Sequence, residues 1–366
     1  MSGFFASGEL KDIAEKVEAG ERLDFADGVR LFASGDLLTI GRLADLVRRR
    51  KNKDRVYFIV NRHINHTNIC LNRCPLCAFG RDKDSPGAYV LSLDEIEKRA
   101  YESRGRGISE IHIVGGLHQD LEMDYYLEML RRVRRALPGV VIQAFTAVEV
   151  DHLARTSGLS LEETLKALME AGLDSLPGGG AEIFSPRVRE RICPRKISGE
   201  RWLQVHETAH RLGMRTNATM LYGHIETIEE RVDHLLRLRA LQDRTGGFLA
   251  FIPLAFHPQN TALEPLGLAG TTGYDDLKVL AVARLLLDNF DHIKAFWISI
   301  GPKLAQVSLS FGVDDLDGSV VEEKIFHDAG ARTGQHLARE ELVNMIRAAG
   351  RRPVERDTLY NVLWEG

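Results

Sequence analysis

The sequence predicts an α/β fold, a (β/α)8 TIM-type barrel with an N-terminal helical extension and a C-terminal helical tail. Three observations carry this. From residue 55 onward, short runs of Val, Ile and Phe alternate with longer amphipathic stretches. Capping boxes stand between strands and the helices that follow them, as in parallel βα units. Seven or eight such units over about 260 residues suit a closed barrel better than an open sheet. No GxGxxG follows the first strand and no GxxxxGK[ST] occurs anywhere, so the phosphate loops of Rossmann and P-loop folds are missing. The 366 residues divide into the extension (1–54), the barrel (55–320) and a tail packed on it (321–366).

In the extension, Leu37, Leu38, Ile40, Leu43, Leu46 and Val47 recur at helical spacing. That helix ends in Arg48, Arg49, Arg50 and Lys51, cations that suit a helix C-terminus and read as a solvated end rather than a phosphate patch. Residues 56–60 read as the first strand, and Ser92-x-x-Glu95 caps the first crossover helix. Residues 108–114 form the next strand, closed by Gly115-Gly116, and Tyr126, Leu127, Leu130 and Val133 mark the helix after it. Strands at 140–145 and 173–176 flank a helix capped by Ser160-x-x-Glu163. Trp202, Val205, Ala209 and Leu212 then form a helical stripe, followed by a strand at 214–221. Thr227-x-x-Glu230 caps the next helix, and residues 248–256 form an apolar strand. A helix at 277–287 and a strand at 293–298 complete seven units, with 312–316 as the eighth strand. The last forty residues read as helical and polar.

Composition narrows the function classes. Hydrophobic residues make up 44% and charged residues 27%, ordinary for a globular chain able to fill a core. Against 52 acidic residues stand 48 basic ones, a net charge of −4 that predicts neither a nucleic-acid nor a membrane partner. The first twenty residues carry six charges and no apolar core, unlike a signal peptide. The longest uncharged stretch, 245–263, is interrupted by Pro253 and Pro258 and cannot span a bilayer as a helix. A cytoplasmic location is expected.

The chemistry is concentrated in eight residues. Cys70, Cys74 and Cys77 follow the first predicted strand, at the rim where barrel enzymes react. One short loop can aim three thiolates at one point. Three thiolates cannot saturate a four-iron cluster, because each iron needs a terminal ligand. One iron stays open for an exogenous chelate. A zinc site completed by Cys193 or a nearby histidine is the alternative, although zinc ligands usually come as spaced pairs. Cys193, far from the triad, is expected to pack as a buried thiol.

The x3-then-x2 triad after the first strand of a βα barrel resembles the signature of the radical S-adenosylmethionine (SAM) enzymes. Asn61-Arg-His-Ile-Asn-His-Thr-Asn-Ile-Cys70, Leu176-Pro-Gly-Gly-Gly-Ala-Glu182, Cys193-Pro-Arg-Lys-Ile197 and Asn217-Ala-Thr-Met-Leu-Tyr-Gly-His-Ile-Glu226 narrow it to one branch. That branch holds the aminofutalosine synthases, the dehypoxanthine futalosine cyclases and the deazaflavin (FO) synthases. Phe251-Ile-Pro-Leu-Ala-Phe-His-Pro-Gln-Asn-Thr261 is most similar to the first of these. The resemblance implies a 4Fe-4S cluster on Cys70, Cys74 and Cys77. It also implies SAM chelated to the open iron, and a flavodoxin- or ferredoxin-like electron donor. It implies a radical transfer in which the 5′-deoxyadenosyl radical adds to an enolpyruvyl ether of 3-hydroxybenzoate. Aryl migration and loss of bicarbonate would follow, with a product destined for menaquinone. The cyclase and FO-synthase readings would instead release 5′-deoxyadenosine.

Further site residues follow from position. Gly115 and Gly116 permit a tight turn, and the resemblance implies backbone approach to the methionine amino group of SAM. Glu182, just past three glycines, can accept from ribose hydroxyls. Many family members carry an aromatic residue before the third cysteine, near the adenine. Here that position is Leu76, which leaves Phe79 as the substitute. At strand ends, His63, Tyr222, His224 and His257 are candidate catalytic residues. Asn65, Thr67, Arg195, Asn217, Gln259 and Asn260 are candidate substrate contacts. A substrate with two carboxylates needs cations or donors, which His63, His224, His257 and Arg195 could supply.

Overall fold

A computed structural model of the chain describes residues 8–366. Eleven strands are present among them: β1 (Arg55–Ile59), β2 (Asn61–Ile64), β3 (Glu110–Ile113), β4 (Val141–Ala144), β5 (Ser175–Leu176), β6 (Arg215–Tyr222), β7 (Phe248–Ala255), β8 (His292–Ile293), β9 (Asp315–Gly318), β10 (Arg352–Arg356) and β11 (Val362–Glu365). Strands β2 to β8 form one parallel sheet in sequence order. The other four form a second sheet in the order β11-β10-β1-β9.

The expected first strand divides in two. Residues 55–59 leave the barrel as β1, and the barrel begins only at β2. Asn61 makes the break: its N–H donates to Ser319 Oγ (3.1 Å), its Nδ2 to Glu110 Oε1 (3.0 Å), and its Oδ1 accepts from Val320 N–H (2.9 Å). Asn61, Arg62 and His63 look like loop residues, yet they form β2 because Asn61 and His63 line the polar inner end of a cavity. The eighth strand lies at β9, three residues later than expected. Parallel bridges tie Lys294 to Asp315 and Arg62 to Val321, so residues 315–321 close the ring between β8 and β2.

The expected helices at 92, 160 and 227 form, and each cap is reciprocal: hydroxyl to N3 amide, N3 carboxylate to cap amide. A fourth box, Thr146-x-x-Glu149, starts a helix at Ala147–Ser157 that the periodicity did not reveal. The basic end of the helix Leu37–Asn52 is only partly solvated: Arg49 and Arg50 are exposed, but Arg48 is not. Arg48 is fully buried against Asp45 (2.8 Å) and Lys53 O (2.8 Å), and Arg50 donates to Val17 O and Glu18 O at the end of the helix Lys11–Ala19. The strand expected at 293–298 stops at Ile293, and Trp297–Ile300 turns helical.

The tail is only partly helical. Arg339–Ala348 is a helix, but β10 and β11 follow where helix was expected. Residues 352–355 become a strand because β1, almost three hundred residues earlier, offers them a parallel edge. Arg356 is neutralised there: its Nε donates to Asp315 Oδ2 at 2.7 Å, both side chains fully buried, and Tyr360 OH donates to the same oxygen at 2.8 Å. Among the described residues no helix is long and apolar enough to cross a membrane.

Removing one partner of a buried ion pair strands the other charge, at about 3–5 kcal/mol. Arg356→Met is therefore expected to lower unfolding free energy by that amount in denaturant titration. Arg22→Ala, which breaks exposed pairs with Asp243 and Asp288, is expected to change it by less than about 1 kcal/mol.

Candidate active site

A cavity of about 310 Å³ opens at the C-terminal ends of the barrel strands and runs inward. Cys70, Cys74 and Cys77 line it, on the loop after β2. Backbone bonds pin this loop on three sides: Leu71 N–H to Leu117 O (2.9 Å), Leu76 N–H to Ile192 O (3.2 Å) and Ala262 N–H to Pro75 O (3.0 Å). All four cysteines are free. Burial pushes the Cys74 thiol up to about 12, with Lys196 pulling the other way. Cys193 is buried outside the cavity wall, as a packing residue would be. Among the described residues, no three or more His, Cys, Asp or Glu side chains gather closely enough to hold a single metal ion. The donor set suits a polynuclear group instead: three thiols spread around one loop, with no fourth in the cavity.

Gly116 sets where that loop lies. A Cβ there would stand 2.2 Å from Ile69 O and 2.9 Å from Cys70 Cβ. At Gly115 a Cβ would stand 2.4 Å from His66 Cε1. Gly115 N–H donates to Glu149 Oε1 at 3.0 Å, while Thr146 N–H and Oγ–H donate to Oε2 at 2.7 and 2.8 Å. Glu149 is buried in the cavity wall, and burial pushes its carboxyl up to about 7 against those donors. Sequence reading missed Glu149, although its capping box has the same form as the three that were noticed.

Glu182 also lines the cavity, on a left-handed backbone (φ 47°). Burial opposes its charge, but the ion pair with Lys196 holds the carboxyl below its ordinary range. Lys196 faces the cavity; Arg195, the expected cation, is exposed and donates to Leu71 O at 3.1 Å. The cation sits one residue later because Lys196, not Arg195, turns inward toward Glu182.

The other candidates divide. His63, Phe79, His257 and also Leu76 line the cavity. His257 Nε2 contacts Ser299 O at 2.9 Å. Asn65, Thr67, Asn217, Tyr222 and His224 stand behind the wall with structural partners or neighbours. Thr67 donates to Tyr89 O (2.7 Å), Tyr222 to Asp276 Oδ1 (2.9 Å), and His224 Nδ1 lies 2.8 Å from Glu226 Oε2. Gln259 and Asn260 are exposed outside the cavity, and Asn260 Nδ2 donates to Asp328 O (2.9 Å). Lys294, His112 and Gln143, which sequence reading did not single out, line the inner part.

A family profile described as the Radical SAM superfamily matches residues 64–238, and one described as the CofH/MqnC C-terminal region matches 245–364. The chain is 52% identical to the aminodeoxyfutalosine synthase of Thermus thermophilus, covering 96% of this chain and 95% of that one. The chain belongs to the radical SAM superfamily. It is therefore an enzyme that uses a 4Fe-4S cluster and SAM. This radical SAM enzyme is also 42% identical to the 5-amino-6-(D-ribitylamino)uracil–L-tyrosine 4-hydroxyphenyl transferase of Methanopyrus kandleri, over 95% of this chain and 94% of that one. Among solved structures, methylornithine synthase shares the fold at a TM-score of 0.73 and 19% identity, covering 93% of this chain and 97% of that one.

Glu149 gives the enzyme a pH signature. A carboxyl with a folded value of about 7 against an ordinary 4.5 holds its proton more tightly when folded. Stability then falls as pH rises from about 4.5 to about 7, by roughly 3 kcal/mol in all. Glu149→Gln removes the titrating group, and its amide NH2 must face either the Gly115 or the Thr146 donors, a cost that does not vary with pH. Its stability in denaturant titration is expected to lack the fall between about pH 4.5 and about pH 7 that wild type shows. Equal pH slopes in the two proteins would refute the assignment.

Proposed function

We propose that this radical SAM enzyme is an aminodeoxyfutalosine synthase. It would join the 5′-deoxyadenosyl group to the vinyl carbon of 3-(1-carboxyvinyloxy)benzoate, with aryl migration from oxygen to carbon and loss of the carboxylate as bicarbonate, the one electron spent in making the radical being returned to the cluster as the carboxylate leaves. The product would serve menaquinone biosynthesis. The observation that carries this reading is the 52% identity over 96% of the chain, against 42% for the hydroxyphenyl transferase.

Cys70, Cys74 and Cys77 would hold three irons of the cluster and leave the fourth for the amino and carboxylate groups of SAM. When bound, the pair supplies a 5′-deoxyadenosyl radical after one-electron reduction, for which a flavodoxin- or ferredoxin-like protein is the proposed donor. The chain's own residues bind and exclude. Lys196 offers an ammonium to a carboxylate, and Glu182 and Glu149 offer acceptors to hydroxyl or amino groups. The Gly115–Gly116 backbone allows close approach, and Leu76 and Phe79 supply apolar contact for an adenine. Ile252, Leu254, Phe256, Phe296 and Phe326 cover the opposite wall with apolar surface that keeps water from a radical.

Anaerobically purified protein is expected to be brown, with about four irons per chain; colourless protein holding zinc would overturn the cluster. Cys70→Ala, Cys74→Ala and Cys77→Ala are each expected to abolish turnover, and Cys193→Ala to retain the iron. With the enolpyruvyl ether, SAM and a reductant, mass spectrometry should find the adenosyl group covalently attached to the aryl product. Adenosyl recovered only as free 5′-deoxyadenosine would point to a hydrogen-abstracting cyclase or FO-synthase-like reaction instead.

A further inference from the structure

The inner end of the cavity is a polar layer where barrel interiors ordinarily carry bulky aliphatic side chains. Consecutive strands place its members in register: His63 on β2 faces His112 on β3, His112 faces Gln143 on β4, and Gln143 faces Ser175 on β5. The two imidazoles stack at 4.4 Å. Gln143 Nε2 donates to Ser175 Oγ (3.3 Å). From the other side of the ring come Lys294, just past β8, and Asp317 on β9, joined at 3.2 Å. Beneath them the Glu110 carboxylate, also in the cavity wall, accepts from Asn61 Nδ2 (3.0 Å) and Thr358 Oγ (2.7 Å) and lies 3.9 Å from His112 Nδ1, which forms the floor.

Buried polar groups are costly unless they find partners. In this layer two keep donor capacity. His63 is more than nine-tenths buried and lines the cavity; its backbone N–H donates to Val321 O (2.9 Å), while its imidazole stacks on His112 and faces the open space. The Lys294 ammonium, also buried, gives one hydrogen to Asp317 and has two more to give. Spare donors, one of them cationic, call for an anionic acceptor.

We propose that Lys294 and His63 bind the ring carboxylate of the aryl substrate, with Asp317 orienting the ammonium. This rests on the enolpyruvyl benzoate reading. In that molecule the vinyl carbon that must meet the adenosyl group and the ring carboxylate lie at opposite ends. A vinyl carbon held at the cysteine end directs the ring carboxylate to the floor. Lys294 and His63 thereby select a carboxylated ring over a neutral one.

The test is calorimetric binding to the enzyme loaded with cluster and SAM, without reductant, so that no turnover occurs. Two ligands are compared: 3-(1-carboxyvinyloxy)benzoate and its ring carboxamide. Wild type is expected to prefer the carboxylate by about tenfold or more. Lys294→Gln is expected to erase that preference by weakening the carboxylate alone, and Lys294→Arg to restore part of it. His63→Phe, which keeps the stacked ring and removes its donor, should reduce the preference in the same direction, and serves as the test should Lys294→Gln fail to fold. An undiminished preference in the variants, or equal weakening of both ligands, would overturn the proposal. Wild type that turns over the ether without preferring the carboxylate overturns the floor assignment alone. Wild type that neither binds nor converts it overturns the proposed function as well.

Discussion

Two adjacent aspartates hold the molecule together. Asp314 takes the buried guanidinium of Arg284, His292 Nδ1 at 2.6 Å and the Ile293 amide at 2.9 Å. Asp315 takes the buried guanidinium of Arg356 and the hydroxyl of Tyr360. Neither carboxylate could be buried alone, and neither arginine could be either. Together they fix β9 between two structures. One is the parallel ring, which β9 closes beside β8. The other is the outer sheet, where β9 lies next to β1. A seven-stranded parallel sheet without this closure would present bare edges at β2 and β8.

The reaction cavity inherits its shape from that joint. Its floor exists because β9 brings Asp317 to Lys294 and because the outer sheet delivers Thr358 to Glu110. At the other end the constraint is steric. The cysteine loop lies against Gly116 so closely that no side chain fits there, and Glu149 grips the neighbouring Gly115 amide. The thiols are thus positioned by backbone contacts, which leaves their side chains uncommitted to partners within the protein.

Much of this was legible in the sequence wherever the signal was local. Capping boxes at 92, 160 and 227 located their helices, and the spacing of Cys70, Cys74 and Cys77 pointed to a loop that lines the cavity. Most of what escaped reading depended on distant residues, the local Thr146-x-x-Glu149 box being the exception. Strand β2 was hidden because it presents Asn61 and His63 to a polar interior, which defeats hydrophobic periodicity. Strand β10 was hidden because β1 supplies its edge from the far end of the chain. Lys196 was passed over for Arg195 because a loop gives no periodicity from which to read which of two neighbouring cations turns inward. Tyr222 and His224 sit at a strand end as expected, but Asp276 and Glu226 hold them behind the wall.

The cysteine end of the cavity is written in one stretch of the chain, and the inner end is shared between two. The cysteines, the glycine pair, Glu149, Glu182 and Lys196 all fall within residues 64–238. The apolar wall at Ile252, Leu254 and Phe326, together with Lys294 and Asp317, falls within 245–364. The joint at β9 binds the second stretch to the first without passing through the cysteine loop. Such a barrel is a partly modular tool: the igniter comes from one length of polypeptide, while the jaw is shared between two. Evolution can recut the jaw for a new workpiece while the igniter stays as it was.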